Sequence, residues 1–110
     1  MTREEFCEKV KTMSSNIYII LQGREYNVAN IVLYDSKTKT FKCDRIGIYD
    51  VEIAKAYDEE HRNDENYTPD DSITWYKTLD EMLDNYKIDG VPFGELTDKI
   101  EDMWCTIFAY

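Results

Sequence analysis

Residues 16–49, NIYIILQGREYNVANIVLYDSKTKTFKCDRIGIY, decide the fold. The stretch opens with β-branched and aromatic side chains from Asn16 to Gln22 and stops at Gly23, a residue that tolerates the backbone of a tight turn. Glu25 to Tyr34 (EYNVANIVLY) reads as a second strand, in which Tyr26, Val28, Ile31 and Leu33 do not keep one alternation, so a bulge is expected near Ala29 and Asn30. The polar segment DSKTKT, residues 35–40, predicts a hairpin turn. In FKCDRIGIY, residues 41–49, Phe41, Cys43 and Arg45 alternate with Lys42 and Asp44. Three consecutive strands joined by short turns make an antiparallel meander.

Helical signals flank the meander. Thr2 and Glu5 have capping-box spacing, and Phe6, Val10 and Met13 form an apolar stripe, which predicts a helix over 3–14. Asp50 is placed to cap a helix over 51–62, with Ile53, Ala54 and Tyr57 inward and Glu52, Lys55, Glu59 and Arg62 outward. NDENYTPDD, residues 63–71, is a loop by composition, and Ile73 to Tyr76 reads as a short strand. Thr78 and Glu81 repeat the capping-box spacing ahead of Leu79, Met82, Leu83 and Tyr86, predicting a helix over 79–87. Asp89 and Gly90 form a turn, and Pro92 opens a further helix with Phe93, Leu96 and Ile100 on its inner face. MWCTIFAY, residues 103–110, is apolar enough for a final strand or a packed tail. The expected fold is a single α+β domain over residues 1–110, with an antiparallel sheet of three or four strands packed against three or four helices.

Bulk properties narrow the function classes. At 110 residues there is room for one core, and a cofactor domain beside a substrate domain is excluded. No run approaches the ~20 apolar residues of a membrane span, and the opening MTREEF lacks the basic and apolar regions of a signal peptide. A cytoplasmic protein with no membrane association is expected. Cys7, Cys43 and Cys105 are odd in number and widely spaced, which fits reduced packing thiols better than a disulfide framework.

Charge is divided unequally along the chain, whose 13 Lys or Arg and 23 Asp or Glu give a net charge of -10. Residues 1–49 carry a net +2, so the excess lies wholly in the stretch from Asp50 onward, at -12. Residues 50–71 concentrate it, with Asp50, Glu52, Asp58, Glu59, Glu60, Asp64, Glu65, Asp70 and Asp71 against Lys55 and Arg62. A negative potential of this kind repels phosphates and speeds encounter with basic surfaces. Direct nucleic-acid binding is therefore disfavoured. Two readings of the run stand: a solvated surface that keeps the chain soluble, and an interface for a basic partner.

The residues offer little catalytic chemistry. His61 is the only histidine, which removes multi-histidine metal sites, and its place near a helix C-terminus beside Asp58, Glu59 and Glu60 favours a structural role through the helix dipole. DNYKIDG, residues 84–90, fails as a calcium loop because Lys87 falls at a ligand position and Leu96 where a bidentate Glu is required. Gly23, Gly47, Gly90 and Gly94 are too scattered to form a phosphate-binding loop. The expectation is a non-enzymatic protein with no catalytic residues, no cofactor and no metal. What remains is acidic residues interleaved with aromatics, since Tyr49, Tyr57, Tyr67, Trp75 and Tyr76 lie in or beside the acidic stretch: Tyr57 and Trp75 read as core, and Tyr67, in the polar loop, as an exposed anchor.

TLDEMLDNYKIDGVPFGEL, residues 78–96, resembles a helix-turn-helix-like ending of small uncharacterised acidic proteins from bacterial phages and mobile elements. The order of one helix, a three-stranded meander and then acidic helices is similar in organisation to anti-CRISPR inhibitors, which imitate DNA with carboxylates. Bacterial immunity proteins, which neutralise basic toxin nucleases, look similar for the same electrostatic reason. These likenesses imply a non-catalytic acidic protein that binds and blocks a basic, nucleic-acid-handling partner such as a nuclease. Asp58, Glu59, Glu60, Asp64, Glu65, Asp70 and Asp71 would supply the charge and Tyr67 the anchor. Two rival readings are an assembly module that forms a homodimer through MWCTIFAY, and a small hydrolase using His61 with neighbouring carboxylates.

Overall fold

A computed structural model describes residues 1–12, 16–68 and 72–105, apart from the side chains of Val32, Phe41 and Cys43. Met13, Asp70, Asp71 and the final five residues, to which the sequence reading gave roles, lie outside the described residues.

The meander forms as its turns dictate. Strand β1 (Asn16–Leu21) buries Ile17, Ile19 and Leu21 in strict alternation. It reverses through Gln22 and Gly23, whose φ values of 52° and 76° are both positive, as the two-residue hairpin that matches strand twist requires. Strand β2 (Arg24–Asp35) then runs back and pairs with β3 (Thr40–Asp50). At their turn, the Lys37 N–H donates to the Asp35 carboxylate at 2.9 Å. That bond, with further help from Thr38 and Lys42, holds the Asp35 carboxyl below the usual carboxylate range.

The irregularity lies elsewhere than expected. Ile31 faces Arg45 while Val32 faces Cys43, so the extra residue is Asp44 on β3, and Ala29 and Asn30 pair regularly with Gly47 and Ile46. The broken alternation of β2 has a different cause. Tyr26, Asn27 and Val28 are all buried, because both faces of the sheet are covered at this point.

The sheet has five strands, where three or four were expected. Strand β4 (Thr74–Tyr76) adds to the β3 edge and β7 (Ile100–Cys105) to the β1 edge, giving the antiparallel order β4-β3-β2-β1-β7. Between them, β5 (Lys87–Ile88) and β6 (Val91–Pro92) make a small ribbon closed by Asp89 and Gly90, again with positive φ at both positions. Three α-helices are present among the described residues: α1 (Arg3–Thr12), α2 (Val51–His61) and α3 (Leu79–Asn85). The helix expected from Pro92 is instead two short 3₁₀ turns, Phe93–Glu95 and Thr97–Lys99, after which Ile100 enters β7. Phe93 and Leu96 are nevertheless buried, so the apolar pattern identified the inward residues but not the conformation that presents them.

One core unites these parts in a single α+β domain. Helices α1 and α3 start with the capping geometry the sequence predicts. The Glu5 N–H donates to Thr2 Oγ1 at 3.1 Å, and the Glu81 N–H to Thr78 Oγ1 at the same distance. Both helices pack on the sheet face that carries Ile17, Val28 and Ile48, with Phe6, Val10, Met82, Leu83 and Phe93 fully or almost fully buried. Phe6 and Phe93 meet at 5.5 Å between ring centres, and Tyr26 meets Phe93 edge-on at 6.4 Å. Arg3 ties the two helices together at the surface through Asp84 at 2.7 Å and Asp80 at 3.3 Å.

Candidate binding cleft

Helix α2 behaves differently from the other two. Asp50, 7% exposed, caps it by accepting from the N–H groups of Glu52 at 3.0 Å and Ile53 at 3.1 Å. The stripe it turns inward is Val51, Ala54, Asp58 and His61. Ile53 and Tyr57, expected inward, are 62% and 37% exposed. Ala54 is inward and Glu52, Lys55, Glu59 and Arg62 are exposed as expected, and periodicity misplaced only Ile53 and Tyr57 because the inner stripe contains a carboxylate and an imidazole.

This stripe lies over the opposite sheet face from the core. Between helix and sheet is an open cleft of about 520 Å³, lined from the sheet by Tyr18, Glu25 and Tyr49, from α2 by Val51, Ala54, Lys55 and Asp58, and beyond it by Tyr67, Ser72 and Ile73. Register explains the floor. Tyr18 on β1 pairs with Asn27 on β2, and Asn27 pairs with Tyr49 on β3, so the three side chains share one face in one rung, in which Tyr18 and Tyr49 line the cleft and Asn27 is covered. Asn27 is 1% exposed, and its Oδ1 accepts no hydrogen bond. A buried acceptor left unpaired costs about 1–3 kcal/mol, which makes this residue the most unusual on the face. Burial pushes the Tyr49 hydroxyl pKa up, and the nearby Tyr18 and Glu25 add to the shift.

Aromatic side chains close both flanks. Trp104 on β7 stacks on Tyr18 at 5.7 Å with rings 16° from parallel. Trp75 on β4 crosses Gly47, and Arg45 sits 4.2 Å from the Trp75 ring centre. Trp75, read as core from sequence, is half-buried here.

Of the acidic residues nominated from sequence, the five that are described, Asp58, Glu59, Glu60, Asp64 and Glu65, gather at one end of this cleft. Asp58 lines it and accepts from the Tyr67 hydroxyl at 2.9 Å. Tyr67 is half-buried, so its ring is part of the wall. Glu59, Glu60, Asp64 and Glu65 are exposed around the C-terminal end of α2. His61 organises that end: its Nδ1 lies 2.7 Å from Asp64, its Nε2 lies 3.9 Å from Glu60, and its ring is 4.2 Å from that of Tyr57. The loop after α2 is thereby held against the helix. Tyr18 and Glu25 were not singled out from the sequence, and Tyr49 only as one of the aromatics beside the acidic stretch, because only strand register brings them together.

Other chemistry is sparse. Burial pushes the Cys7 thiol pKa up, opposite to the direction that activates a nucleophile. Among the described residues no group of three His, Cys, Asp or Glu side chains is arranged to hold a metal ion, and no helix is long and apolar enough to cross a membrane.

Fold and site define a class: an α+β protein with one closed sheet face and one that carries an aromatic, acid-rimmed cleft. No protein-family model matches the chain, and no curated protein or solved structure does.

Proposed function

We propose that this chain is a non-catalytic, cytoplasmic binding protein whose partner presents a basic surface, and that the partner is a nucleic-acid-handling protein of the kind that phage inhibitors and immunity proteins block. One observation carries the reading. Asp58, Glu59, Glu60, Asp64 and Glu65 converge on one end of α2, beside an open cleft walled by Tyr18, Tyr49 and Tyr67. Carboxylates steer a basic surface to this end, and tyrosines give contact area at low entropic cost once it arrives. A soluble surface alone would need the charges but not the cleft.

The test compares the wild-type chain with a Glu59→Lys, Glu60→Lys, Glu65→Lys variant, immobilised and exposed to host lysate at low salt. Asp64 is left in place because it holds His61. A basic nucleic-acid-binding protein retained by the wild type, released by salt and lost from the variant is the expected result. Equal retention by both chains would refute the reading.

A second reading, self-association, has its own support: β7 is an edge strand, and Trp104 on it is 39% exposed. It predicts light scattering that falls to the monomer value on dilution and responds little to salt.

A further inference from the structure

We infer that the outer face of α2, the stripe of Ile53, Ala56 and Tyr57, docks an amphipathic helix of the basic partner, with Glu52, Glu59 and Glu60 facing the lysines and arginines that edge that helix. The inference rests on the proposed basic partner and names the element by which it is held.

The stripe faces away from the sheet. Ile53 is 62% exposed, more than any other large apolar side chain among the described residues, and Tyr57, one turn further on, is 37% exposed. Ala56 between them is exposed as well. Among the described residues, neither α1 nor α3 leaves a large apolar side chain so exposed. Single exposed apolar groups are ordinary, whereas neighbours at i, i+3 and i+4 form a continuous ridge, the unit of helix packing. Tyr57 is also fixed in advance. Its ring lies 4.2 Å from that of His61 and 5.8 Å from that of Tyr67, which reduces the side-chain freedom lost on docking.

Charge selects what covers the ridge. At about 100° per residue, Glu52, Glu59 and Glu60 fall on the stripe or along its Ala56 border, while Lys55 and Arg62 fall about half a turn round from Ile53. All three glutamates are exposed, and Asp64 and Glu65 extend the negative end past the helix. The one cation near them, Lys55, meets Glu52 at 4.0 Å between exposed side chains, a contact of little strength. A second copy would set its own glutamates against these, so like charge rejects it and a surface of Lys and Arg is the complement. This face of α2 offers side chains, its backbone groups being used within the helix, so the matching element is one whose backbone is likewise satisfied: another helix.

The probe is a leucine–lysine peptide of about 18 residues with its leucines at helical spacing, titrated into the ¹⁵N-labelled chain. A scrambled peptide of the same composition keeps the charge and loses the apolar face. Saturable shifts are expected at Ile53, Ala56, Tyr57 and Glu60, with the scrambled peptide binding about tenfold more weakly. Ile53→Ser, a change at an exposed side chain, should weaken the amphipathic peptide by about tenfold, and Ala56→Gln, which obstructs the ridge, serves if the first variant loses its dispersed spectrum. Equal binding of the two peptides, shifts confined to Glu59–Glu65 or to the cleft, or unchanged affinity in the variant would each overturn the inference. So would shifts along the stripe that grow with chain concentration and no peptide, since the occupant would then be a second copy.

The two proposals fail separately. A basic nucleic-acid-binding protein retained from lysate equally by the wild type and Ile53→Ser sinks only the inference. Peptide on the stripe with no basic protein retained by the wild type sinks only the proposed function.

Discussion

Gly47 is the position where a single methyl group tests the architecture of the cleft face. A Cβ added there would stand 2.6 Å from Ile73 Cγ2 and 2.8 Å from two ring carbons of Trp75, about 1 Å inside ordinary contact. Neither neighbour is the loose end of a flexible chain. Trp75 is paired directly opposite Gly47 on β4 and is held by Arg45, so relieving the overlap means moving the strand or giving up the Arg45 contact. Overpacking of this kind costs about 1–3 kcal/mol and the lost cation–π contact about 0.5–1 kcal/mol. Against this, replacing glycine inside a strand recovers about 0.5–1 kcal/mol of backbone entropy. Gly47→Ala should therefore destabilise by about 1–3 kcal/mol. At about 4 °C per kcal/mol for a domain of this size, the melting temperature falls by about 4–12 °C. Circular dichroism melts measure it, with Trp75 fluorescence read in a Trp104→Phe background to locate the change. Trp75→Leu should absorb part of the cost, making the double variant less than additive. A Gly47→Ala chain that melts within about 1 °C of the wild type, with unchanged Trp75 emission, would refute this packing argument.

Two further outcomes follow from the contacts described. Asp50→Ala removes the acceptor for two α2 N–H groups and should cost about 1–2 kcal/mol by urea denaturation, whereas Asp50→Asn, which keeps a capping oxygen, should cost less than half of that. Burial pushes the Tyr86 hydroxyl pKa up to about 12, against about 10 in an unfolded chain, so its stabilisation is complete below about pH 10 and disappears as pH rises through about 12. Tyr86→Phe should flatten the stability profile across that window, and a wild-type profile that is already flat there would contradict the assignment.

The sequence made the elements legible where local chemistry decides them. Capping boxes at Thr2 and Thr78, the cap at Asp50, and turns at Gly23 and Gly90 all act within a few residues, and the structure has helices or reversals at each. What local chemistry does not decide was misread or left open. Ile100–Cys105 becomes a strand because β1 offers it an edge, a partner some 80 residues away in sequence. The segment from Pro92 has helical spacing of apolar residues, yet it turns in 3₁₀ steps because it must feed that strand. The acidic side of the site was visible as a run of charge, while its aromatic side was dispersed over Tyr18, Tyr49 and Tyr67 and awaited register.

Register also gives the strongest reason to treat the cleft face as more than unfinished packing. The same three strands set Ile17, Val28 and Ile48 in one rung and Tyr18, Asn27 and Tyr49 in the adjacent rung on the other side. The first rung is how a sheet is sealed: apolar, branched and fully buried. The second had the same opportunity and the same neighbours along the chain. Helix α2, 11 residues and about 16 Å long, is too short to cover a five-stranded face, and aromatic side chains from β4 and β7 close only its flanks. Asn27 is covered all the same, as a buried amide with an unpaired oxygen where an apolar rung would carry valine or isoleucine. Leaving that acceptor unpaired costs about 1–3 kcal/mol, which a rung selected for stability alone would not carry.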